Sequence, residues 1–353
     1  MKDNISGKSI LLVCQQFFGY EQRIKETLLE LGAKDVYWQD VRWFQESFRE
    51  HITWKTPLFY MRNPLARTKW TKEIYRDIED KQIDVLLCIE NTPFKKWYIK
   101  KLKQKNPAMK TILFLWDTHD VQKIFMDYLS LFDKIYSFDR DDCARYDFEY
   151  WPDFYIDEKC NADRDDCQYD LAFVSKCQPF ATDFRARLLA RIDDFCIENG
   201  LKTFFHLKYS PKTYSNNIVK RWISEHGRFR RYYNMIDSLS YRNWLNDYAL
   251  PLEQVELAYD HAKTILDLSY PHRQGMTLNC IASIAKGKKL ITTNYRIKDE
   301  SFYDPNNIWV IDGNNPVLNL DFFKTKPIKI DITHLRLDNW LKHIINGSLI
   351  DNG

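Results

Sequence analysis

The sequence lacks several features that would assign it to a special class of protein. No run of it approaches the roughly 18 apolar residues that a membrane-spanning helix needs. The apolar run near its start, SILLVCQ, is short and is followed at once by a turn and a charged stretch, so it predicts a first β-strand rather than a signal peptide. We therefore expect a cytoplasmic protein, which still allows contact with the inner face of the cytoplasmic membrane.

Paired cysteines and a strong excess of basic residues are also absent. The eight cysteines form no CxxC pair, and no histidines accompany Cys160 and Cys167 at the spacing of a zinc site. Several cysteines lie inside apolar runs, where a thiol packs as a small hydrophobic group. The formal net charge of +3 is too small for a protein that follows a phosphate backbone. We expect reduced cysteines, no bound metal and no nucleic-acid partner.

The length of the chain predicts two domains, because 353 residues, 44% of them apolar, exceed what one hydrophobic core usually supports. Short apolar runs alternate with amphipathic stretches of helical period, which is typical of an α/β fold with parallel sheets. The charged, aperiodic stretch 151–168 predicts a linker between an N-terminal domain over 1–150 and a C-terminal domain over 169–330. A final helix is expected within 331–353.

Both domains are predicted to be Rossmann-like from the order of their elements. The predicted strands are 9–15, 35–39, 84–89, 110–116, 134–138, 169–175, 202–208, 263–269, 289–294 and 307–312. The predicted helices are 20–32, 66–82, 93–105, 121–132, 140–147, 183–199, 216–226, 252–261 and 276–286. Ligands of such sheets bind at the carboxyl ends of the strands, so we expect the site in a cleft between the domains.

The most informative stretch, LDLSYPHRQGMTLNCIASIAKGKKLITTN, predicts a strand, a short loop, a helix and another strand. Free amides at the helix N-terminus, the helix dipole and the guanidinium of Arg273 would form a diphosphate site. Gly275 would let the backbone approach the phosphates closely. The alternative is that Gly275 only shapes a turn and Arg273 is a solvated surface charge.

The motif WDTHD places Asp117, His119 and Asp120 after a strand of the N-terminal domain, where a base could take a proton from an acceptor hydroxyl. Glu21, after the first strand, is a second candidate. Each acidic residue also has a structural interpretation. Asp117 or Thr118 would cap the helix that begins near residue 120, and Asp139 would cap the helix that follows it. Glu21 would lie in the first turn of a helix, where the dipole favours a negative charge.

Taken together, these segments resemble the GT-B glycosyltransferases, and within them the CgeB-like and polysaccharide-biosynthesis proteins of bacteria. The block that recurs in that group is matched here by Gly275-Met276-Thr277 and by GKKLITTN, from Gly287 to Asn294. The resemblance extends to FFGYE (17–21), WDTHD (116–120), FDKIYSFDRDD (132–142), YDLAFVS (169–175) and IKDESFYDPNNIWVID (297–312), and so covers most of the chain.

The resemblance implies two Rossmann-like domains that face each other across a cleft. It implies a metal-independent, hexosyltransferase-type enzyme that needs no cofactor and moves a sugar from a nucleotide-diphosphate donor to a glycan or lipid-linked oligosaccharide. Its setting would be the synthesis of bacterial capsule, lipopolysaccharide or exopolysaccharide.

The site residues expected on this basis fall into three groups. The donor-binding residues are Ser175, Arg273, Gln274, Gly275, Met276, Thr277, Asn294 and Lys298, the catalytic residues Asp117, His119 and Glu21, and the acceptor-side residues Phe18, Gly19, Tyr20, Asp120 and Asp139. Arg185 is as consistent with a surface charge as with a ligand.

One departure from the family pattern concerns the donor ribose. Many retaining GT-B enzymes hold this ribose with a glutamate on the C-terminal helix, and the matching position here is Ala282. The departure favours an alternative, a catalytically degenerate nucleotide- or sugar-binding protein of the same fold. A dinucleotide-dependent oxidoreductase ranks last, because no GxGxxG follows the first strand.

The segment 41–72 interleaves aromatic residues with arginine and lysine. This mixture suits the surface of an anionic membrane, where lipid-linked acceptors are found. It equally suits a pair of helices whose basic side chains extend along an apolar surface to reach water.

Overall fold

The structure, a computed structural model, divides the chain into two compact units. The first unit comprises Met1–Ile156 and Thr333–Gly353, and the second comprises Asp157–Ile332. The structure describes residues 5–17, 19–41, 64–90, 94–118, 128–156, 166–177, 184–210, 227–270 and 275–347. The helix predicted over 216–226, most of that over 121–132, and most of segment 41–72 lie outside these residues.

Each unit is built on a parallel six-stranded sheet. The first sheet contains β1 (Ser9–Cys14), β2 (Asp35–Asp40), β3 (Val85–Ile89), β4 (Lys110–Leu115), β5 (Lys134–Ser137) and β6 (Glu149–Tyr150), in the order β2-β1-β3-β4-β5-β6. The second contains β7 (Tyr169–Lys176), β8 (Thr203–Lys208), β9 (Leu245–Asn246), β10 (Ala262–Asp267), β11 (Lys289–Thr292) and β12 (Ile308–Val310), in the order β12-β11-β10-β7-β8-β9.

The helices connect and cover these strands. They are α1 (Tyr20–Glu30), α2 (Pro64–Arg76), α3 (Lys96–Lys105), α4 (Arg140–Tyr146), α5 (Phe184–Glu198), α6 (Gly227–Leu239), α7 (Leu252–Asp260), α8 (Leu278–Ala285), α9 (Leu320–Lys324) and α10 (Leu337–Asn346). Among the 3-10 helices of the described residues are those over Tyr295–Asp299 and Thr333–Leu335. None of the helices in the described residues combines the length and the apolar character that crossing a membrane requires.

The central strands β1, β3 and β4 of the first sheet are buried on both faces, which explains why they are almost wholly apolar. Side chains alternate along a strand, so Ile10 and Leu12 of β1 join one apolar cluster while Leu11 and Val13 join another. Helices α1 and α10 contribute side chains to the first cluster, and α2 and α3 contribute to the second.

The second sheet is covered in the same manner. Its larger apolar cluster combines residues of β7, β10 and β11 with side chains of α5, α6 and α9. Helix α7 contacts β7 and β10, while α8 contacts β10 and β11. These contacts fix the N-terminal end of α8 next to the carboxyl end of β10.

Helix α10 belongs to the first unit, although the whole second unit separates it in the sequence from the rest of the first. Trp340 of α10 is fully buried, and its indole N–H donates to the carbonyl oxygen of Pro152 over 2.9 Å. Its ring lies 4.7 Å from that of Phe114 and 5.0 Å from that of Phe154, between ring centroids. A residue near the end of the chain thus completes the core of the first sheet.

The predicted strands are all observed with ends that agree within two residues. The helix predicted over 66–82 is wrong in its C-terminal part, because α2 ends at Arg76. Beyond it, the amide of Ile78 donates to the carbonyl of Tyr75 and that of Lys81 donates to Ile78, a three-residue spacing that turns the chain toward β3. Helix α6 and the two-residue strands β6 and β9 were not predicted.

Replacing Trp340 with alanine should destabilise the first unit by about 3–5 kcal/mol, because it removes a large buried ring and leaves a cavity. Urea denaturation followed by circular dichroism measures the loss. Leu29→Ala is the matched control, since Leu29 lies in α1 with 43% of its surface exposed, and we expect a change within about 0.5 kcal/mol. Equal stabilities of the Trp340 variant and the parent would contradict the role given to α10.

Candidate functional site

The carboxyl ends of three neighbouring strands bring polar residues together in the second unit. Ser175, Asp267 and Thr292 lie at the ends of β7, β10 and β11, which are adjacent in the sheet. Ligands of open parallel sheets bind at this edge, so these residues define the candidate donor site.

Asp267 is the centre of the hydrogen bonds at this edge. Its Oδ2 accepts from the hydroxyls of Ser269 over 2.7 Å and Thr292 over 2.8 Å. Its Oδ1 accepts from Thr277 over 3.4 Å. One largely buried carboxylate therefore connects two strand ends with the start of α8.

The start of α8 is the helix N-terminus that the sequence predicts for phosphate binding. Thr277 is its N-cap, with an extended backbone and a side-chain oxygen that accepts from the amide of Cys280 over 3.3 Å. The remaining amides of the first turn and the positive end of the helix dipole favour a bound anion. Gly275 and Met276 precede this cap as predicted, and the Met276 side chain is buried in the core.

Arg185, on α5, holds a positive charge at the same edge. Its Nε donates to the carbonyl oxygen of Leu268 over 2.7 Å, and another of its nitrogens donates to the Ser175 hydroxyl over 3.0 Å. The guanidinium also stacks over the ring of Tyr270, 4.2 Å from its centroid. These contacts orient the guanidinium at the strand ends.

Asn294 and Lys298, both predicted as donor-binding residues, have different environments. Asn294 is fully buried, and its Oδ1 accepts from the amide of Arg296 over 2.9 Å. Its Nδ2 has no hydrogen-bond partner within the described part of the chain, which leaves a donor available. Lys298 is exposed on the following 3-10 helix. Arg273 and Gln274 lie outside the described residues, so their roles remain predictions.

In the first unit, the loop after β1 carries several of the predicted residues. Gly19 adopts a left-handed backbone conformation, with a φ of 79°, directly before α1. Glu21 is 5% exposed, and its carboxylate accepts from the amide of Phe17 over 3.0 Å. This bond gives Glu21 a structural function at the helix start. Tyr20 packs edge-to-face against Phe154, 5.8 Å between centroids.

The remaining first-unit predictions are only partly described. Asp139 caps α4 by accepting from the amides of Asp141 over 2.9 Å and Asp142 over 3.1 Å, as its structural interpretation anticipated. Phe18, His119 and Asp120 lie outside the described residues. Asp117 is half-buried beyond the end of β4, and its charge acts on two other carboxyl groups.

The two carboxyl groups on which Asp117 acts belong to Glu90 and Asp153. The sequence analysis did not select Glu90, which has the more unusual backbone of the two. It follows β3 directly with a φ of 68°, a left-handed conformation that is uncommon for glutamate. Desolvation, with a smaller contribution from the charge of Asp117, raises the pKa of Glu90 to about 7, while a hydrogen bond from the Trp116 side chain opposes the rise. An acidic residue immediately after the wholly apolar VLLCI was the signal in the sequence.

Asp153 is the second group on which Asp117 acts. It is 2% exposed, and its Oδ1 has no hydrogen-bond partner among the described residues. Burial, and then the charge of Asp117, raise the pKa of Asp153 well above its usual range. Burial likewise raises the pKa of Cys14, with further contributions from Glu21, Asp40 and Glu90. The carboxyl end of this sheet is therefore an acidic region.

The described residues of these clusters do not form a metal site. Within the described ranges, no group of three or more histidine, cysteine, aspartate or glutamate side chains is arranged to hold a metal ion.

Comparisons with known proteins identify the fold. No family model matches the chain, and no curated protein matches it. The N-terminal domain of Candida albicans trehalose-6-phosphate phosphatase is similar over 97% of this chain and 96% of its own, with a TM-score of 0.56 and 13% identity. UDP-GlcNAc 2-epimerase from Methanocaldococcus jannaschii is similar over 96% of this chain and 100% of its own, with a TM-score of 0.51 and 8% identity. These likenesses confirm the predicted fold class, two Rossmann-like domains of the GT-B type.

Replacing Glu90 with glutamine should stabilise the protein in a pH-dependent manner. The pKa of Glu90 in the folded protein, about 7, lies above its ordinary value of 4.5. Between these two pH values the folded state holds a proton on Glu90 that the unfolded state has lost. The stability of the parent therefore falls as the pH rises from 4.5 through 7. The variant does not titrate there. We expect equal stabilities near pH 4.5 and an advantage for the variant of about 1–3 kcal/mol at pH 8, measured by urea denaturation.

Glu30→Gln is the control for this experiment, because Glu30 is exposed at the end of α1. We expect its stability to stay within about 0.5 kcal/mol of the parent's, as for other surface substitutions. A Glu90 variant whose advantage is the same at pH 4.5 and pH 8 would show that Glu90 titrates normally.

Proposed function

We propose that the protein transfers a sugar from a nucleotide-diphosphate donor to a hydroxyl of a glycan or lipid-linked oligosaccharide. The observation that carries the proposal is the arrangement of Arg185 and the N-terminus of α8 at the carboxyl edge of the second sheet. A fixed guanidinium, a helix dipole and free amides are the groups that stabilise a leaving diphosphate.

Several residues at this edge would each contact the diphosphate of the donor. Arg185 offers its charge to the diphosphate, and the first amides of α8 donate to the same oxygens. Gly275 lets the backbone approach, and the unpartnered Nδ2 of Asn294 supplies a further donor. Arg273 and Lys298 would add positive charge if the donor reaches them.

This set of groups supports transfer without a bound metal. Cationic side chains and amides can replace the magnesium that other sugar transferases use to neutralise the developing diphosphate.

The structural comparison supports a donor of this class. One protein with a similar fold is a UDP-GlcNAc 2-epimerase, whose name states a nucleotide-diphosphate sugar as substrate. We further propose that the acceptor belongs to bacterial surface-polysaccharide synthesis and is used at the inner face of the cytoplasmic membrane, with segment 41–72 as the membrane contact. The described part of that segment comprises Val41 and the start of α2, and Val41 and Trp70 are buried in the core of the first unit.

A second candidate function rests on Ala282. Helix α8 carries no acidic residue, so the ribose glutamate of many retaining relatives has no counterpart on it. A protein that binds nucleotides or sugars without catalysis would tolerate this loss. Donor turnover separates the two candidates.

The first test is a thermal-shift screen with UDP, GDP, CDP, TDP and their common sugars, with and without EDTA. We expect stabilisation by one nucleotide family that EDTA does not change. Release of the nucleotide diphosphate on adding a glycan acceptor then establishes transfer. Binding without release would support the degenerate protein, and conversion of the donor to an epimer without acceptor would overturn the proposal.

Replacing Arg185 with alanine should weaken binding of the nucleotide diphosphate about 10- to 100-fold, because a charge-assisted hydrogen bond to phosphate is lost. Isothermal titration calorimetry with the nucleotide found in the screen measures the change. Arg187→Ala is the matched control, an exposed arginine on the same helix. Equal affinities of the Arg185 variant and the parent would exclude this residue from the site.

A further inference from the structure

We propose that the carboxyl edge of the first sheet binds a small organic ligand through a protonated primary amine. Glu90 and Asp117 receive the ammonium group, and the rings of Trp116 and Phe17 flank it. The site lies within the first unit, so it does not depend on the sugar transfer proposed above.

Carboxylates gather at this edge because neighbouring strands are followed by acidic residues. Asp40 is the last residue of β2, Glu90 follows β3 directly, and Asp117 comes two residues after β4. Strands β3 and β4 are adjacent, and the amide of Glu90 donates to the carbonyl oxygen of Phe114 over 2.7 Å. Because adjacent strands lie about 4.8 Å apart, the backbones that carry Glu90 and Asp117 are close neighbours.

Glu90 has no cationic partner within the described part of the chain. Burial, and then repulsion by the charge of Asp117, raise its pKa to about 7, and a hydrogen bond from the Trp116 side chain opposes this rise. Its backbone is left-handed, with a φ of 68°. Such a conformation persists where the surrounding structure imposes it, and it is concentrated at functional sites. A ligand cation would supply the charge that Glu90 lacks.

The carboxylate of Glu90 also differs from its acidic neighbours in its hydrogen bonds. Glu21 and Asp40 accept from the backbone amides of the β1–α1 loop, and Asp139 accepts from the first amides of α4. The thiol of Cys14 is the other titratable group beside Glu90, and its pKa responds to Glu21, Asp40 and Glu90. Within the described residues, none of these neighbours brings a positive charge to Glu90.

Asp153 adds a buried acceptor to the same cluster. The segment after β6 crosses this edge, because the amide of Trp151 donates to the last residue of β5 over 3.1 Å and the ring of Phe154 packs against Tyr20 at the start of α1. Asp153, between them, is 2% exposed, and its Oδ1 has no hydrogen-bond partner among the described residues. Burial and then the charge of Asp117 raise its pKa, so these two carboxyl groups lie near each other. A buried oxygen without a donor calls for a donor from outside the chain.

Aromatic rings at this edge suit a positively charged ligand. The ring centroid of Phe17 lies 5.8 Å from that of Trp116 and 6.2 Å from that of Tyr20. Phe17 is 38% exposed, and Trp116 and Tyr20 are half-buried. Ring faces attract cations, and the Trp116 side chain also contacts the Glu90 carboxylate. Since Glu90 and Asp117 are themselves half-buried, an organic ammonium ion from the solvent reaches both the carboxylates and the rings.

Binding exchanges a proton for a cation. The ammonium group keeps its three hydrogens and donates them to Glu90, to Asp117 and, directly or through one water, to the unpaired oxygen of Asp153. The positive charge favours the charged form of Glu90, so the proton that Glu90 carries below pH 7 passes to the solvent. Affinity therefore rises with pH through about 7, as long as the amine stays protonated.

The experiment is isothermal titration calorimetry of the full chain at constant ionic strength, at pH 6, 6.5 and 8. The ligands are ethanolamine and 6-amino-6-deoxyglucose, each compared with its neutral counterpart, ethylene glycol or glucose. Buffers with different ionisation enthalpies count the protons released, and calcium chloride tests for an inorganic cation. The variants are Glu90→Gln, Asp117→Asn and, as control, Glu30→Gln on the exposed end of α1.

The amines should bind and their neutral counterparts should not. For the parent, affinity rises up to about tenfold between pH 6 and pH 8, because Glu90 is mostly protonated at the first pH and mostly charged at the second. Protons are released at pH 6.5 and hardly any at pH 8. Glu90→Gln weakens binding about 10-fold or more at pH 8 and removes the proton release, and Asp117→Asn also weakens binding. Glu30→Gln binds as the parent does.

Four results would overturn the assignment. They are equal binding of the amines and their neutral counterparts, parental affinity in Glu90→Gln, an equal loss in Glu30→Gln, and calcium binding in place of the amines. Circular dichroism confirms that each variant is folded. Sugar transfer takes no part in these measurements, so a protein that transfers no sugar would refute the proposed function and leave this site to be decided by calorimetry.

Discussion

The constraint on which the structure depends is that a parallel sheet covered on both faces leaves the strand ends as the main place for exposed polar groups. The central strands β1, β3 and β4 are almost wholly apolar and buried, because helices pack on both sides of them. All carboxyl ends of a parallel sheet lie at one edge. The fold thereby collects functional groups from distant parts of the sequence without any local motif that joins them.

The carboxyl edges of the two sheets differ in their electrostatic character. The edge of the second sheet offers hydrogen-bond donors and one fixed guanidinium, and its carboxylate, Asp267, is occupied by hydroxyl groups. The edge of the first sheet concentrates carboxyl groups whose proton affinities are raised. The first environment favours a bound anion, and the second raises the pH at which its carboxyl groups lose their protons.

The sequence predicted the strands and the fold class because both depend on local patterns. A buried strand of a parallel sheet appears as a short apolar run, and a covering helix appears as apolar residues at helical spacing. It also located Thr277 and Gly275 at a helix start. It did not predict Glu90, whose significance depends on a left-handed backbone and on burial by neighbours from other strands. The sequence did not predict the orientation of Arg185 either, because its contacts Leu268 and Tyr270 lie more than 80 residues away along the chain. Both depend on contacts that no local pattern encodes.

The return of α10 to the first unit has a consequence for how the protein is made. Trp340 fills the space beside Phe114 and Phe154, so the first sheet lacks part of its core until the last helix has been synthesised. The second unit is one continuous segment, and everything it requires leaves the ribosome earlier. The order of synthesis therefore differs from the order of the units in the sequence: the segments of the second unit are complete before those of the first.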